Sequence, residues 1–394
     1  MNKTTDATYA NQTLPQPGNL RVLYNGSLVG ALAQTQEETI AFEYGDEWLA
    51  RGFSISPLSL PLEKRVFISK YLPFEGLHGV FDNSLPDGWG RLLVDRLLQS
   101  KGYDPVAIRP LTRLSIVGAS GMGALTYEPQ TALETTQTLS DLDTLAAECA
   151  HILNSNTSEN LDELFRLGGS SGGARPKILT TYEGEDWLIK FPSSYDQPNV
   201  GKMEYEYALA ALQCGIDVPE VRLFPSKRCE GYFGVRRFDR LPTATPHVPA
   251  TRIHTICAGA LLETSHRIPN LDYHTLMLLT LKLTNDYDEV LRLYRLMCFN
   301  VFAHNRDDHA RNFSYLHDPT AHRWRLSPAY DLTCNPGMHG EHATTINGKG
   351  TDITLDDLLA VADKTGLSQK EARSTAQEVQ EGTQALKVWS SKSG

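Results

Sequence analysis

The stretch HNRDDHARNFSYLHDPTAHRWRLSPAYD, His304 to Asp331, decides how the rest of the chain is read. Ahead of it Leu293, Leu296, Met297 and Val301 recur at helical spacing, which predicts a buried helix leading into a polar loop, Asn305 to Arg311. Arg306, Asp307, Asp308 and His309 then place four ionisable groups beside a core, where unpaired charge is costly. The alternation of Asn312 to Leu316, the turn residues His317 to Thr320 and the return Trp324-Arg325-Leu326 predict a β-hairpin. A hairpin joins its ends, so Asn312 at the entry and Asp331 just past the exit come side by side. An amide oxygen and a carboxylate, completed by water and phosphate oxygens, suit Mg2+.

Asp307 and Asn312 stand in the spacing D-x-x-x-x-N, with Asp331 following after the hairpin. That order matches the catalytic loop and metal-binding aspartate of protein kinases, in which the first Asp takes the substrate hydroxyl proton. A plainer reading has Asp307 and Asp308 solvating a loop and Asp331 opening a turn. A third reading is a metal hydrolase built on His304, Asp307, Asp308 and His309, although no further ligand block accompanies them.

The second informative stretch is GGSSGGARPK, Gly168 to Lys177. Its glycines let backbone N–H groups approach an anion closely. It leads into a predicted strand from Lys177 to Tyr182, a Glu183-Gly184 turn and a second strand from Trp187 to Phe191. Lys190 shares a face with Leu188, so it is expected to point inward and to need a carboxylate. The predicted helix Lys202 to Cys214 offers Glu204 and Glu206, and a Lys–Glu pair would hold the lysine on phosphate. After further strands at Val221 to Phe224 and Tyr232 to Arg237, Phe238-Asp239-Arg240 reads as a crossover whose Phe238 ring can pack on a base. A flexible glycine linker and a simple domain crossover are the plain alternatives.

The N-terminal part reads as a small β-rich module: a hairpin about Asn25-Gly26, a strand from Thr39 to Tyr44, an extended stretch from Ile55 to Leu62 and an amphipathic helix from Trp89 to Leu98. Gly118 to Ala124 is read as tight packing, Met1 to Gly18 as a disordered tail, and Thr131 to Ser140 as a linker. The region from His254 through Leu291 has a helical pattern, and Leu355 to Leu386 reads as helices broken at Gly366. The resulting expectation is α+β: a two-lobed protein-kinase-like fold with an extra N-terminal β-rich subdomain and an all-helical C-terminal lobe. Its boundaries are 1–19 for the tail, 20–130, 131–241 for the glycine-loop subdomain and 242–394.

The length, 394 residues, is enough for two or three domains, and a formal net charge of −10 argues against broad unaided binding of nucleic acid. Six scattered cysteines form no C-x-x-C pair and are expected to be reduced thiols. With no signal-peptide pattern or spanning apolar run, a soluble cytoplasmic protein without membrane attachment is expected.

The combination LYNGSLVGAL, FDNSLPDGWGR, GGARPK, WLIKFP, RRFDR, HNRDDHARNFSYL and LSPAYDL, in this order from about Leu20 to Asp331, resembles the HipA family, the serine/threonine kinase toxins of bacterial toxin–antitoxin modules. The resemblance implies a kinase-like fold, ATP and Mg2+ as cofactors, and a protein serine or threonine as substrate, aminoacyl-tRNA synthetases among them. It makes Asp307 the base, Asn312 and Asp331 the metal ligands and Lys190 the phosphate lysine. It places Gly172, Gly173, Ala174, Lys177 and His309 near the phosphates and Arg236, Phe238 and Asp239 near the nucleotide. It also implies autophosphorylation at Ser170, with Ser171 next to it. The implied partner is a HipB-like helix-turn-helix antitoxin, through which DNA is met indirectly. A catalytically quiet corepressor that holds the antitoxin on operator DNA is the alternative from another class. The chain departs from better-known members at Arg175-Pro176, where they carry Gln-Glu, and proline removes one backbone donor from the loop.

Overall fold

Asn25 and Gly26 both take positive φ, 46° and 84°, the left-handed pair that a two-residue hairpin turn requires and that Asn and Gly tolerate. This turn joins the strands Asn19–Tyr24 and Ser27–Gln34. Ile40–Tyr44 and Val66–Ile68 extend the sheet on one side and Leu125–Glu128 on the other, all antiparallel. Alternation places Leu20, Val22, Leu32 and Phe42 on its buried face. The computed structural model describes residues 14–133, 140–154, 160–193, 196–241 and 250–386. Most of the expected tail, residues 1–13, and most of the expected linker, 134–139, lie outside the described residues. Where the chain is described it is already packed: Leu14 is buried with Val94, Leu98, Ile108 and Ile116.

The amphipathic helix is present as Gly88–Ser100. Its apolar face does not close the N-terminal sheet. Trp89, Leu93 and Leu97 enter a second core with Leu145, Cys149, Leu164, Trp187 and Ile189. That core lies under one face of a four-stranded antiparallel sheet in the order Lys177–Tyr182, Glu185–Lys190, Tyr232–Arg236, Val221–Phe224. Glu183 and Gly184 turn its first hairpin with φ of 52° and 82°. The opposite face carries Lys190, whose Nζ stands 5.6 Å from the centroid of the Phe233 ring.

The C-terminal part corrects the all-helical expectation. Helices Tyr273–Thr284, Tyr287–Phe302, Leu355–Lys364 and Gln369–Gly382 dominate it. It also contains a three-stranded antiparallel sheet in the order His254–Cys257, Ser314–Asp318, Arg323–Leu326 and a short parallel pairing of Leu271–Asp272 with Thr344–Thr345. Four residues are too few to set a period, so the strand character of His254–Cys257 comes from the hairpin strand beside it. The break at Gly366 is present, with φ 75°. No helix among the described residues is long and apolar enough to cross a membrane. Cys149, Cys214, Cys257 and Cys298 are buried free thiols.

This sheet meets the N-terminal module through two histidines. His317 stacks on Phe53 with centroids 3.5 Å apart, and His254 Nε2 lies 2.8 Å from the Ile55 carbonyl oxygen. Burial pushes both imidazoles down to about 4. Their folded pKa lies below the unfolded one, so the unfolded chain binds the extra protons, and stability falls as pH drops from about 6.5 towards 4. The slope contributed by each is up to about 1.4 kcal/mol per pH unit. Urea unfolding at a series of pH values is expected to show this loss, and His317→Phe, which keeps a ring on Phe53, to flatten it. Identical slopes in the two proteins would contradict the assignment.

Candidate active site

Alternation along Glu185–Lys190 turns Lys190 to the face away from Trp187 and Ile189, and its side chain is only 11% exposed. Its Nζ donates to Glu204 Oε2 at 2.7 Å and to Asp331 Oδ1. Glu204, one of the two carboxylates on helix Val200–Gln213 that the sequence offers, is the partner. Its other oxygen accepts from Arg175, whose guanidinium also reaches Asp196 at 3.1 Å. Asp331 adopts φ 54°, which turns its carboxylate back towards the sheet. Burial alone would raise the Asp331 carboxyl, but Lys190 and Lys177 outweigh it and hold it well below the usual range. The same contacts raise Lys190 against its own burial penalty.

From the other side, helix Tyr287–Phe302 delivers the chain to His304, whose φ of 55° ends the helical run. The two adjacent aspartates then separate. Asp308 turns inward and is 1% exposed. Asp307 stays towards the cleft with its side chain 53% exposed, 3.9 Å from His309 Nε2. Partial burial raises the Asp307 carboxyl, His309 pulls it down, and Asp331 adds to the rise. Asn312 Nδ2 donates to the Asp307 carbonyl at 2.6 Å, closing the loop and engaging the nitrogen end of the amide. The metal-hydrolase arrangement is not formed, because Asp308 is committed to buried partners. Among the described residues, no three His, Cys, Asp or Glu side chains gather into a metal cluster. The Asp331 carboxylate and the amide oxygen of Asn312, whose nitrogen end is engaged, are each of the ligand type a hard cation takes.

The glycine loop is folded inward over the end of the sheet. Ser170 Oγ donates to the Ser120 carbonyl at 2.8 Å and Ser171 Oγ to the Gly168 carbonyl at 2.6 Å, and both serines are buried. Lys177 is buried as well and reaches the Gly172 carbonyl at 2.5 Å. Gly173 has φ 85°, its N–H donates to Asp87 and its carbonyl accepts from Trp89 N–H at 2.9 Å. A Cβ at Gly88 would stand 2.5 Å from that carbonyl oxygen. Ala174 is exposed at the tip.

Four residues, Asp82, Asp87, Arg175 and Arg311, escape a reading of the sequence. Asp87 also accepts from Arg311 of the loop Asn305 to Arg311, and Arg311 pairs with Asp82 at 2.7 Å. Arg175 shares Glu204 with Lys190. The surplus of charge in FDNSLPDGWGR and HNRDDHARN hints at Asp82, Asp87 and Arg311, and Arg175 stands in GGARPK where better-known family members differ. Two predicted residues fall elsewhere. Arg236 pairs with the opposite sheet face at Trp187 and lies near Glu185 and Glu220, at 3.6 and 3.4 Å. Asp239 is 2% exposed, bonded to Arg237 and Arg240 at 2.8 and 2.9 Å and to Gly123 N–H at 2.7 Å. Burial would raise it, yet the arginines bring it down to about 2, so it anchors the crossover. Phe238 remains beside the cleft, 5.7 Å from the Tyr330 ring.

Fold and site together define a mixed α/β protein in which a sheet-borne lysine, clamped by a helix glutamate, meets an aspartate that follows a hairpin. The HipA-like C-terminal domain matches residues 169–386 and the HipA N-terminal domain matches residues 20–128. The chain belongs to the HipA family. The solved HipA of Shewanella oneidensis MR-1, in complex with HipB and its operator DNA, is 19% identical over 94% of this chain and 91% of that one, with a TM-score of 0.71. That likeness shows the shared fold. The proinflammatory kinase CtkA of Helicobacter pylori is 14% identical over 54% of this chain and 89% of that one, and its TM-score of 0.35 carries no argument. No curated protein sequence matches the chain.

Glu204 is 3% exposed between Lys190 and Arg175, and breaking a buried pair by neutralising one partner costs about 3 kcal/mol. Glu204→Gln is therefore expected to lower the urea midpoint by a corresponding amount. A variant as stable as the wild type would remove Glu204 as the clamp.

Proposed function

We propose that this protein is a Mg-ATP-dependent serine/threonine protein kinase and the toxin of a toxin–antitoxin pair. The observation that carries the reading is the single ammonium of Lys190 held at once by Glu204 and Asp331. Bound Mg-ATP would supply the phosphoryl group and neutralise the charge on its oxygens. Asn312 and Asp331 would hold the cation, and Lys190, released from Asp331 but still fixed by Glu204, would turn to the phosphates. Lys177 and the N–H groups of Gly172 and Ala174 would meet the phosphates, and the Gly173 N–H would join them on leaving Asp87. Asp307 accepts the proton of the attacking hydroxyl.

The antitoxin is expected to be a helix-turn-helix protein of the HipB kind, with operator DNA contacted through it, as the contents of the Shewanella complex suggest. The substrate is a protein serine or threonine, aminoacyl-tRNA synthetases being one class to test, and the site of action is the cytoplasm. Autophosphorylation at Ser170 or Ser171 requires the glycine loop to leave the inward position, since both hydroxyls are bonded within the protein.

With labelled ATP and Mg2+, the purified protein is expected to label itself or a target, and Asp307→Ala to lower the rate by about 100-fold or more. Retained labelling would exclude Asp307 as base, and no nucleotide binding by calorimetry would favour the corepressor reading. The base works only when ionised, so activity is expected to fall on the acid side through a pKa above the ordinary carboxylate value. His309 opposes that rise, so His309→Gln is expected to move the acid limb to higher pH. An unmoved limb would dissociate the profile from Asp307.

A further inference from the structure

Beyond Asp331 the chain turns back and grips the catalytic loop from two sides. Asn335 N–H donates to the His304 carbonyl at 3.0 Å and Arg306 N–H to the Asn335 carbonyl at 3.3 Å. On the other flank Ala343 N–H donates to the Arg306 carbonyl at 3.0 Å. Residues 332–345 thus form a strap around His304 to Asp308.

The pin of this strap is a buried carboxylate. Asp308 Oδ2 accepts from Tyr273 Oη at 2.8 Å and faces His342 Nδ1 at 2.9 Å, and Oδ1 accepts from Thr344 N–H at 3.2 Å. The Asp308 carbonyl accepts from Thr344 Oγ1 at 2.5 Å. Tyr273 Oη in turn accepts from Asn300 Nδ2, and Asn300 Oδ1 from Asn305 Nδ2, each at 2.9 Å. The network therefore runs from the strap through Asp308 and back to the start of the loop. His342 is 6% exposed. An ionised carboxylate only accepts, so the imidazole presents its Nδ1 proton to it. A buried network whose members are mutually bonded fixes one geometry. Asp308 adjoins Asp307 along the backbone, so moving one shifts the other, and a displacement of about 1 Å can cost two orders of magnitude in rate.

We infer that His342, acting through Asp308, is a positioning residue that sets where Asp307 stands and couples the strap to the catalytic loop, an inference whose kinetic consequence rests on Asp307 being the base. Nothing in the sequence marks His342, which is 34 positions from Asp308.

The test compares His342→Ala with His342→Asn, whose side-chain amide nitrogen stands where Nδ1 stood. His342→Ala is expected to lower kcat about tenfold or more with KM for Mg-ATP within about twofold, and His342→Asn to recover most of the loss. In deuterium exchange, peptides covering 304–312 and 335–345 are expected to exchange faster in the alanine variant and to be protected again in the asparagine variant. An unchanged kcat in His342→Ala, or a change in KM alone, overturns the inference. Should the alanine variant fail to fold, His342→Gln, which offers its amide where Nε2 stood, replaces it, and equal rates and exchange in the Asn and Gln variants overturn the inference. If the wild type binds Mg-ATP but transfers no phosphoryl group, the proposed function fails, and exchange alone decides the coupling: unaltered protection of 304–312 and 335–345 refutes it.

Discussion

A buried ammonium shared by two carboxylates from distant parts of the chain is the constraint around which this molecule closes. Lys190 cannot be charged under the sheet without partners, and it finds one 14 residues away on a helix and the other 141 residues away past the hairpin. The two partners differ in a way that matters for chemistry. Glu204 is 3% exposed and fixed on a helix, whereas the Asp331 side chain is 38% exposed. Glu204 is thus the enclosed partner and Asp331 the open one. Arg175 takes the second oxygen of Glu204, so two cations crowd the end of the cleft through one carboxylate.

The N-terminal module is a structural part of this site. Asp87 receives the N–H of Gly173 and the guanidinium of Arg311, while Trp89 lies in the core beneath the glycine-loop sheet. Ser120 and Gly123 hold Ser170 and Asp239 in the same way. The module is thereby bonded to the glycine loop and to Arg311 at once.

The readings that hold are those in which a short-range rule meets one outcome. The turn at Asn25-Gly26, the hairpin at Glu183-Gly184 and the inward face of Lys190 follow from backbone tolerance and the period of two. The break at Gly366 and the hairpin after Asn312 are of the same kind. Glu204 was one of two candidates two residues apart, and helix geometry selects between them. Where a charge had several possible partners, the sequence was silent. Phe238-Asp239-Arg240 reads as a ligand-facing crossover, yet the adjacent arginines close on Asp239 themselves. Arg236 falls on the far face because it pairs with Trp187, whose side chain is turned away from Lys190.

The sequence by itself determined the local order of this protein: which residues turn, which alternate, which face of a strand or helix is apolar, and that a Lys, Glu, Asp, Asn, Asp series occurs in one sequence order. Only the tertiary structure decided which of two neighbouring aspartates enters the cleft, that His254–Cys257 is a strand, that Leu14 is packed, and that Asp87, Arg175 and His342 belong to the site. The reason is physical. Periodicity is set by bonds within a few residues, whereas the partner of a buried charge or the neighbour of a four-residue strand is set by segments brought together from tens to hundreds of residues away.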